Sequence, residues 1–138
     1  MAVSHSPTFV QTPKVTSTTI VVGSTTTKIT AATAGSDGSK VVGVIVTTDD
    51  AARDVRLWLA KSTTSYLLGT VPVPSSSGFT STAPAVNLLN STNIPGVPTD
   101  NDGQRYIFLE SGDSLQVQVT ATVTTLQTIY ATTIFGNF

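Results

Sequence analysis

Carboxylates are the groups in this chain best placed to do chemistry, because little else is on offer. The 138 residues include eight Asp and Glu, seven Lys and Arg, one His and no Cys. Asp49, Asp50 and Asp54 cluster in sequence, with Arg53 and Arg56 among them. Opposite charges so close together read as salt bridges at a turn. Asp100-Asn101-Asp102-Gly103 sets oxygen side chains at alternate positions, as the start of a calcium loop does. The remaining ligand positions and the distal bidentate Glu are missing, and a turn before a strand accounts for the run. Glu110 and Asp113 form the one carboxylate pair in a strand-and-turn context, where a glycosidase pair could sit. Glu110-Ser111-Gly112-Asp113 reads as an ordinary tight turn instead.

The remaining catalytic options are poorer. A general base must be held rigidly within hydrogen-bond reach of its proton, and His5 lies in an N-terminal stretch with no periodicity. Without Cys or a second His, nucleophilic triads have one poor candidate, and a His- or Cys-ligated zinc site within one chain has no ligand set. The sequence therefore reads as a non-enzyme with no cofactor and no metal site. Trp58, Tyr66, Tyr106, Tyr130, Phe135 and Phe138 could stack on sugars, but most fall within strands, where packing is the default role of an aromatic ring.

The elements that carry these residues are strands. From Leu115 to Thr124 apolar and polar residues alternate strictly, and only a period-2 backbone separates the two sets so cleanly. The polar set is Gln and Thr where a free-standing surface strand would carry Lys and Glu. Charged residues are 11% of the chain, against about 25% in an ordinary soluble domain. Hydrophobic residues are 39%, so the low charge does not signal disorder. The rest is rich in Thr, whose branched side chain favours pleated structure.

Strands are expected over residues 18–22, 26–31, 40–48, 54–61, 66–71, 104–109, 115–124 and 128–135. Eight short strands about ten residues apart, with no βαβ pattern, read as an all-β antiparallel sandwich, specifically a jelly roll. Residues 1–16 read as an extended N-terminal arm and 17–138 as one domain. A Pro-rich loop is expected over 72–103, with one helical turn at 85–89, packed along the outside of the sandwich. Pro removes ladder donors, so that stretch cannot hold central strands. Val42, Val44, Val46, Val55, Leu57, Leu59, Leu115, Val117, Val119 and Val123 are the expected core. That phase leaves Val41 and Ile45 on a second apolar face of strand 40–48, which a two-layer sandwich does not cover.

Composition also limits partners. The net charge is −1, so no basic excess drives nucleic-acid binding, and little self-repulsion opposes association. Residues 1–7 lack the charged and apolar regions of a signal peptide. No run of about 18 apolar residues predicts a membrane span. Asn90-Ser91-Thr92 matches a glycosylation sequon, which chance in a Ser/Thr-rich chain explains. The residues expected at an interface are Phe9 and Val10 of the arm, the outward Val41, Ile45 and Trp58, and the terminal Phe138.

Four runs carry a resemblance: Gly38-Ser-Lys-Val-Val-Gly-Val-Ile-Val-Thr-Thr-Asp-Asp, Asp54-Val-Arg-Leu-Trp-Leu, Leu109-Glu-Ser-Gly-Asp-Ser-Leu-Gln-Val-Gln-Val, and Phe135-Gly-Asn-Phe. Together they resemble the jelly-roll capsid cement (decoration) proteins of tailed bacteriophages, over residues 16–138. The resemblance implies a structural virion protein, made in the host cytoplasm, on the outer surface of the phage head. Its partners would be the major capsid protein, whose neighbouring subunits it clamps, and itself as a homo-oligomer. The resemblance transfers no functional residue one by one. The alternative is a carbohydrate- or receptor-binding appendage of a phage tail or fibre.

Overall fold

The structure is a computed structural model that describes residues 10–24 and 26–138. Among the described residues nine strands run in chain order: β1 (Thr12–Ile20), β2 (Ile29–Thr33), β3 (Ser39–Thr48), β4 (Arg53–Lys61), β5 (Thr64–Val73), β6 (Val86–Asn87), β7 (Ile107–Leu109), β8 (Ser114–Val119) and β9 (Ile129–Asn137). One 3₁₀ turn spans Val22–Ser24, and the described residues contain no α-helix. Two antiparallel sheets pack face to face as a β-sandwich. The first has the order β1-β9-β3-β6, with β7 also paired to β3; the second is β2-β8-β4-β5. Four pairs nest in sequence: β1 with β9, β2 with β8, β3 with β6 and β7, and β4 with β5.

The sequence explains where each strand lies. Pro13 and Pro72 sit in β1 and β5, both edge strands, where a missing N–H costs no ladder bond. The central strands β3, β4, β8 and β9 contain no proline and carry the Val, Ile and Leu that fill the interior. Val44, Val46, Val55, Leu57, Leu115, Val117, Val119 and Val123 are buried as expected, and Leu59 is half-buried against them.

The phase of β3 differs from expectation at its first half. The ladder with β9 skips Val42, between Val41 and Gly43. This β-bulge places two residues against one and returns the next side chain to the same face. Val41 is therefore fully buried with Val44 and Val46, while Val42 turns to the outer side. The same bulge removes Val41 from the outer, interface-facing set. Gly43, isolated in an apolar strand, marks the site.

Other boundaries shift for local reasons. Residues 12–16, expected in the arm, are the first half of β1; residues 1–9, with Phe9 and His5, lie outside the described residues. The alternation of 115–124 outlasts its strand, because β8 stops at Val119 and Ala121 is exposed. The strand expected over 104–109 is reduced to β7. The helical turn expected at 85–89 is β6, with Leu88 N–H bonded to Val44 O at 2.9 Å. The long loop does more than cover the sandwich. Leu88, Leu89 and Ile94 are buried in the common core. Asparagines tie it down: Asn87 Oδ1 accepts from Val44 N and Leu89 N, and Asn90 accepts from Asn93 N while donating to Asn87 O. The sequon asparagine thus has an internal role.

Two stability tests follow. Val41→Asp buries an unpaired charge and should cost several kcal/mol, enough to unfold most of the population. Val42→Asp should cost far less, and equal melting losses would show that the bulge is misplaced. Thr133 is fully buried, and its hydroxyl has no hydrogen-bond partner among the described residues. Thr133→Val removes that unsatisfied group at nearly equal volume, so its melting temperature should match or exceed that of the parent. A drop of several degrees would mean that the hydroxyl is bonded.

Candidate functional site: a charge-poor apolar sheet face

The carboxylates and arginines expected to pair at the 49–56 turn do so only in part. Asp50 is buried and accepts from Ala51 N at 2.7 Å and Thr124 N at 3.1 Å, with Arg53 Nη2 at 3.3 Å. Arg53 continues to Thr122 O and Thr124 Oγ1. This cluster ties the β3–β4 turn to the β8–β9 loop and holds that loop after β8 ends. Asp49 caps Thr128 N at 2.8 Å on the same loop. No ion pair joins Asp54 to Arg56 among the described residues. Asp100 Oδ1 accepts from Asp102 N and Gln104 N, which makes it the cap of its own turn. Glu110 and Asp113 share Lys61 Nζ, at 3.3 and 2.8 Å. Among the described residues no three His, Cys, Asp or Glu gather as a metal site would require.

The two outer sheet faces differ, although Leu67 is exposed beside Trp58 on the second. On the β2-β8-β4-β5 face the polar groups bond to one another. Trp58 Nε1–H donates to Gln118 Oε1, Gln118 Nε2 to Thr26 O, and Ser65 Oγ to Gln116 Oε1. Lys28 Nζ stands 4.0 Å over the Trp58 ring. Trp58, an expected interface residue, is therefore half-buried in a closed polar network.

The β1-β9-β3 face carries apolar side chains around a polar pair, Ser17 and Thr132, whose hydroxyls lie 3.2 Å apart. Along β9 the inward set is Ile129, Ala131, Thr133 and Phe135, so Tyr130, Thr132 and Ile134 point outward. The register sets Val15 beside Ile134, and Thr132 between Ser17 and Ile45. A turn with Gly78 at φ +80° lies against Thr47 and brings Phe79 within 6.1 Å of Tyr130, measured between ring centroids. At the far end Val10 covers Gly136 so closely that a Cβ there would collide with it. Phe108 stacks on Tyr106 and Phe138 at 5.0 and 5.9 Å. Lys40 borders this surface, held near Tyr106 and Asp100. Val10, Val15, Phe79, Phe108, Tyr130 and Ile134 are all exposed.

Of the expected interface residues, Val10, Ile45 and Phe138 belong to this surface. Val41 is inside and Trp58 is on the opposite face. Val15, Phe79, Phe108, Tyr130 and Ile134 were missed. The alternation of 129–135 carried the signal for Tyr130 and Ile134; nothing local could place Phe79, which arrives on a loop.

Comparison with protein families, curated proteins and solved structures returns no match for this chain. The site therefore rests on its own geometry.

Asp50 yields a pH prediction. Burial alone would push its carboxyl up. Hydrogen bonds from the side chain and amide of Thr124 and from the Ala51 amide, with the Arg53 guanidinium, outweigh burial and hold it below its ordinary value of 3.8. A carboxyl depressed by folding adds stability above its unfolded pKa, and that stability is lost as pH falls through the folded pKa. The melting temperature should therefore fall below about pH 4, and Asp50→Asn should reduce that acid-side fall. An unchanged acid limb in Asp50→Asn would remove Asp50 from this role.

Proposed function

We propose that this protein is a structural subunit that docks on other proteins through the outer face of the β1-β9-β3 sheet, and that it is a capsid cement protein of a tailed-phage head. The observation that carries the docking reading is the group of exposed apolar side chains on and around the outer face of the β1-β9-β3 sheet. At about 200 Å² per aromatic side chain and about 100 Å² per aliphatic one, their exposed fractions sum to roughly 450 Å². The largest patch on many monomers is of that size, and such patches are often functional. Its position supports the reading further, since on the other sheet face Trp58, Gln116 and Gln118 are engaged in hydrogen bonds.

Fold supports the finer reading. Nested pairs from β1/β9 inward to β4/β5 are those of one long hairpin. Extra pairing of β9 with β3 and of β8 with β4 rolls that hairpin into two sheets. That order fits a jelly roll, the fold that the resemblance implies, and so supports the reading. Burying the face would contribute about 11 kcal/mol gross, close to the cost of association itself. One contact is then modest, and a repeating shell would multiply it through avidity. The partner is the major capsid protein and the location is the outer surface of the virion. The alternative, a glycan-binding appendage, lacks an open platform at Trp58, because Lys28 covers that ring.

The test is to strip phage particles, add back protein, and measure bound copies and capsid survival on heating. Full-length protein should bind and raise the survival temperature. Val15→Lys with Ile134→Lys should cut binding at least about tenfold, or about 1.4 kcal/mol, without changing the circular dichroism spectrum. No binding by the parent overturns the cement reading. Equal binding by the double variant moves the site off this face, and a hit on a glycan array without particle binding favours the appendage.

A further inference from the structure

Every sheet edge but β1 is short, bulged or crowded by a loop, and each of these discourages pairing with another chain. β2 has five residues and a bulge at Ala31. β5 has a register shift near Leu68, contains Pro72, and is crowded at Gly69 by Asn93 and Ile94. β6 and β7 have two and three residues. β1 has nine, pairs with β9 without a register shift, and is exposed along almost all its length. Pro13 and Lys14 guard only its start.

The direction of its main-chain groups can be assigned. Asp49 N–H bonds to Thr128 O next to the Thr48–Ile129 pair, and Phe138 N–H bonds to Gly38 O at the other end. Both assign Tyr130, Thr132, Ile134 and Gly136 to β3. Alternate residues bond to opposite sides of a strand, so Ile129, Ala131, Thr133 and Phe135 bond to Ile20, Thr18, Thr16 and Lys14 of β1. The N–H and C=O of Val15, Ser17 and Thr19 must then face away from the sheet. Pro13 agrees, since it belongs to the same outward set and has no N–H to lose. Among the described residues nothing hydrogen-bonds to the main chain of these three on that side.

We propose that β1 is a self-pairing edge, through which two copies of this chain join antiparallel about a two-fold axis at Ser17. This register keeps inward residues opposite inward ones. It sets Val15 opposite Thr19 of the second copy and Ser17 opposite Ser17, so all three outward residues pair and none is spent on Pro13. Three facing pairs exchange about six main-chain hydrogen bonds. Lys14, the only charge on the strand, lies opposite Ile20 of the second copy, and the two lysines are about 20 Å apart. Charge therefore does not oppose the pairing, and the two apolar faces merge into one. Self-pairing at this edge is independent of the capsid reading.

The experiment is sedimentation of the full-length protein, alone and as Ser17→Lys and Ser17→Glu. Like charges directly opposite destabilise a strand pair, so each variant should dimerise at least about tenfold more weakly than the parent, and an equimolar mixture should recover the dimer. Amides of Val15, Ser17 and Thr19 should be protected from hydrogen exchange in the parent and open in either variant. Ser17→Pro, which removes one outward N–H, gives a second monomeric variant if a charge there disturbs folding. A parent that stays monomeric at high concentration, a dimer indifferent to all three changes, or no recovery on mixing would each overturn the proposal. A stable dimer that fails to bind particles would overturn the capsid reading alone.

Discussion

The insertion of β9 between β1 and β3 is the pairing on which the rest of the molecule depends. Without it β1 has no partner and the first sheet is reduced to β3 with the two- and three-residue strands β6 and β7. The second sheet would then lose the cover over Leu57, Leu115 and Val117. The partners come from opposite ends of the chain: Thr12 lies beside Asn137 and Ile20 beside Ile129. Closing so long a loop costs entropy before it returns any contact. Nesting lowers that cost, because β4 with β5 and then β8 with β4 can form first and shorten each later closure. The Asp50–Arg53 cluster fits this order, since it joins the β3–β4 turn to the loop that delivers β9.

The same insertion creates both candidate surfaces. β9 supplies Tyr130 and Ile134 to the apolar face and, by taking up the even-numbered residues of β1, leaves the odd-numbered ones facing outward. The face and the open edge are thus two consequences of one register. A one-residue slip of β9 would bury Tyr130 and Ile134 and expose Ala131 and Phe135. The interior is selected strongly enough to prevent this, and the outer face is specified along with it.

Much of the fold was legible in the sequence because alternation and burial agree over long stretches. The inward sets of β4 and β8 were read correctly, since Val55, Leu57, Val117 and Val119 follow a strict period of two. The reading failed where a single residue resets the period. At Val42 and Gly43 the local sequence is apolar on both sides, so alternation carries no phase, and only the lone glycine hints at a bulge. It also failed where a strand ends for tertiary reasons. The alternation to Thr124 is unbroken, but Asp50 and Arg53 pull residues 122–124 out of the sheet. The surface was less legible than the core. Ile45 and Phe138 could be suspected from position, whereas Phe79 and Phe108 join it through a loop and a three-residue strand whose register no local pattern announces.

Low charge gives these parts a common logic. In most soluble proteins, Lys and Glu on outer faces and edges prevent sheets from meeting edge to edge. Here the outward positions of β1 and β9 hold Val, Ser, Thr, Tyr and Ile, and protection falls instead on particular edges: short strands, bulges, prolines and the loop over β5. A chain selected only to stay monomeric would protect its longest edge first. β1 is the longest edge that the loop does not crowd, yet only Pro13 and Lys14, its second and third residues, protect it, and it borders the apolar face. Guarding the other edges while leaving this one open restricts association to one direction. That restriction separates ordered assembly from aggregation, because a self-complementary edge closes on a two-fold axis and then has no further free strand to offer.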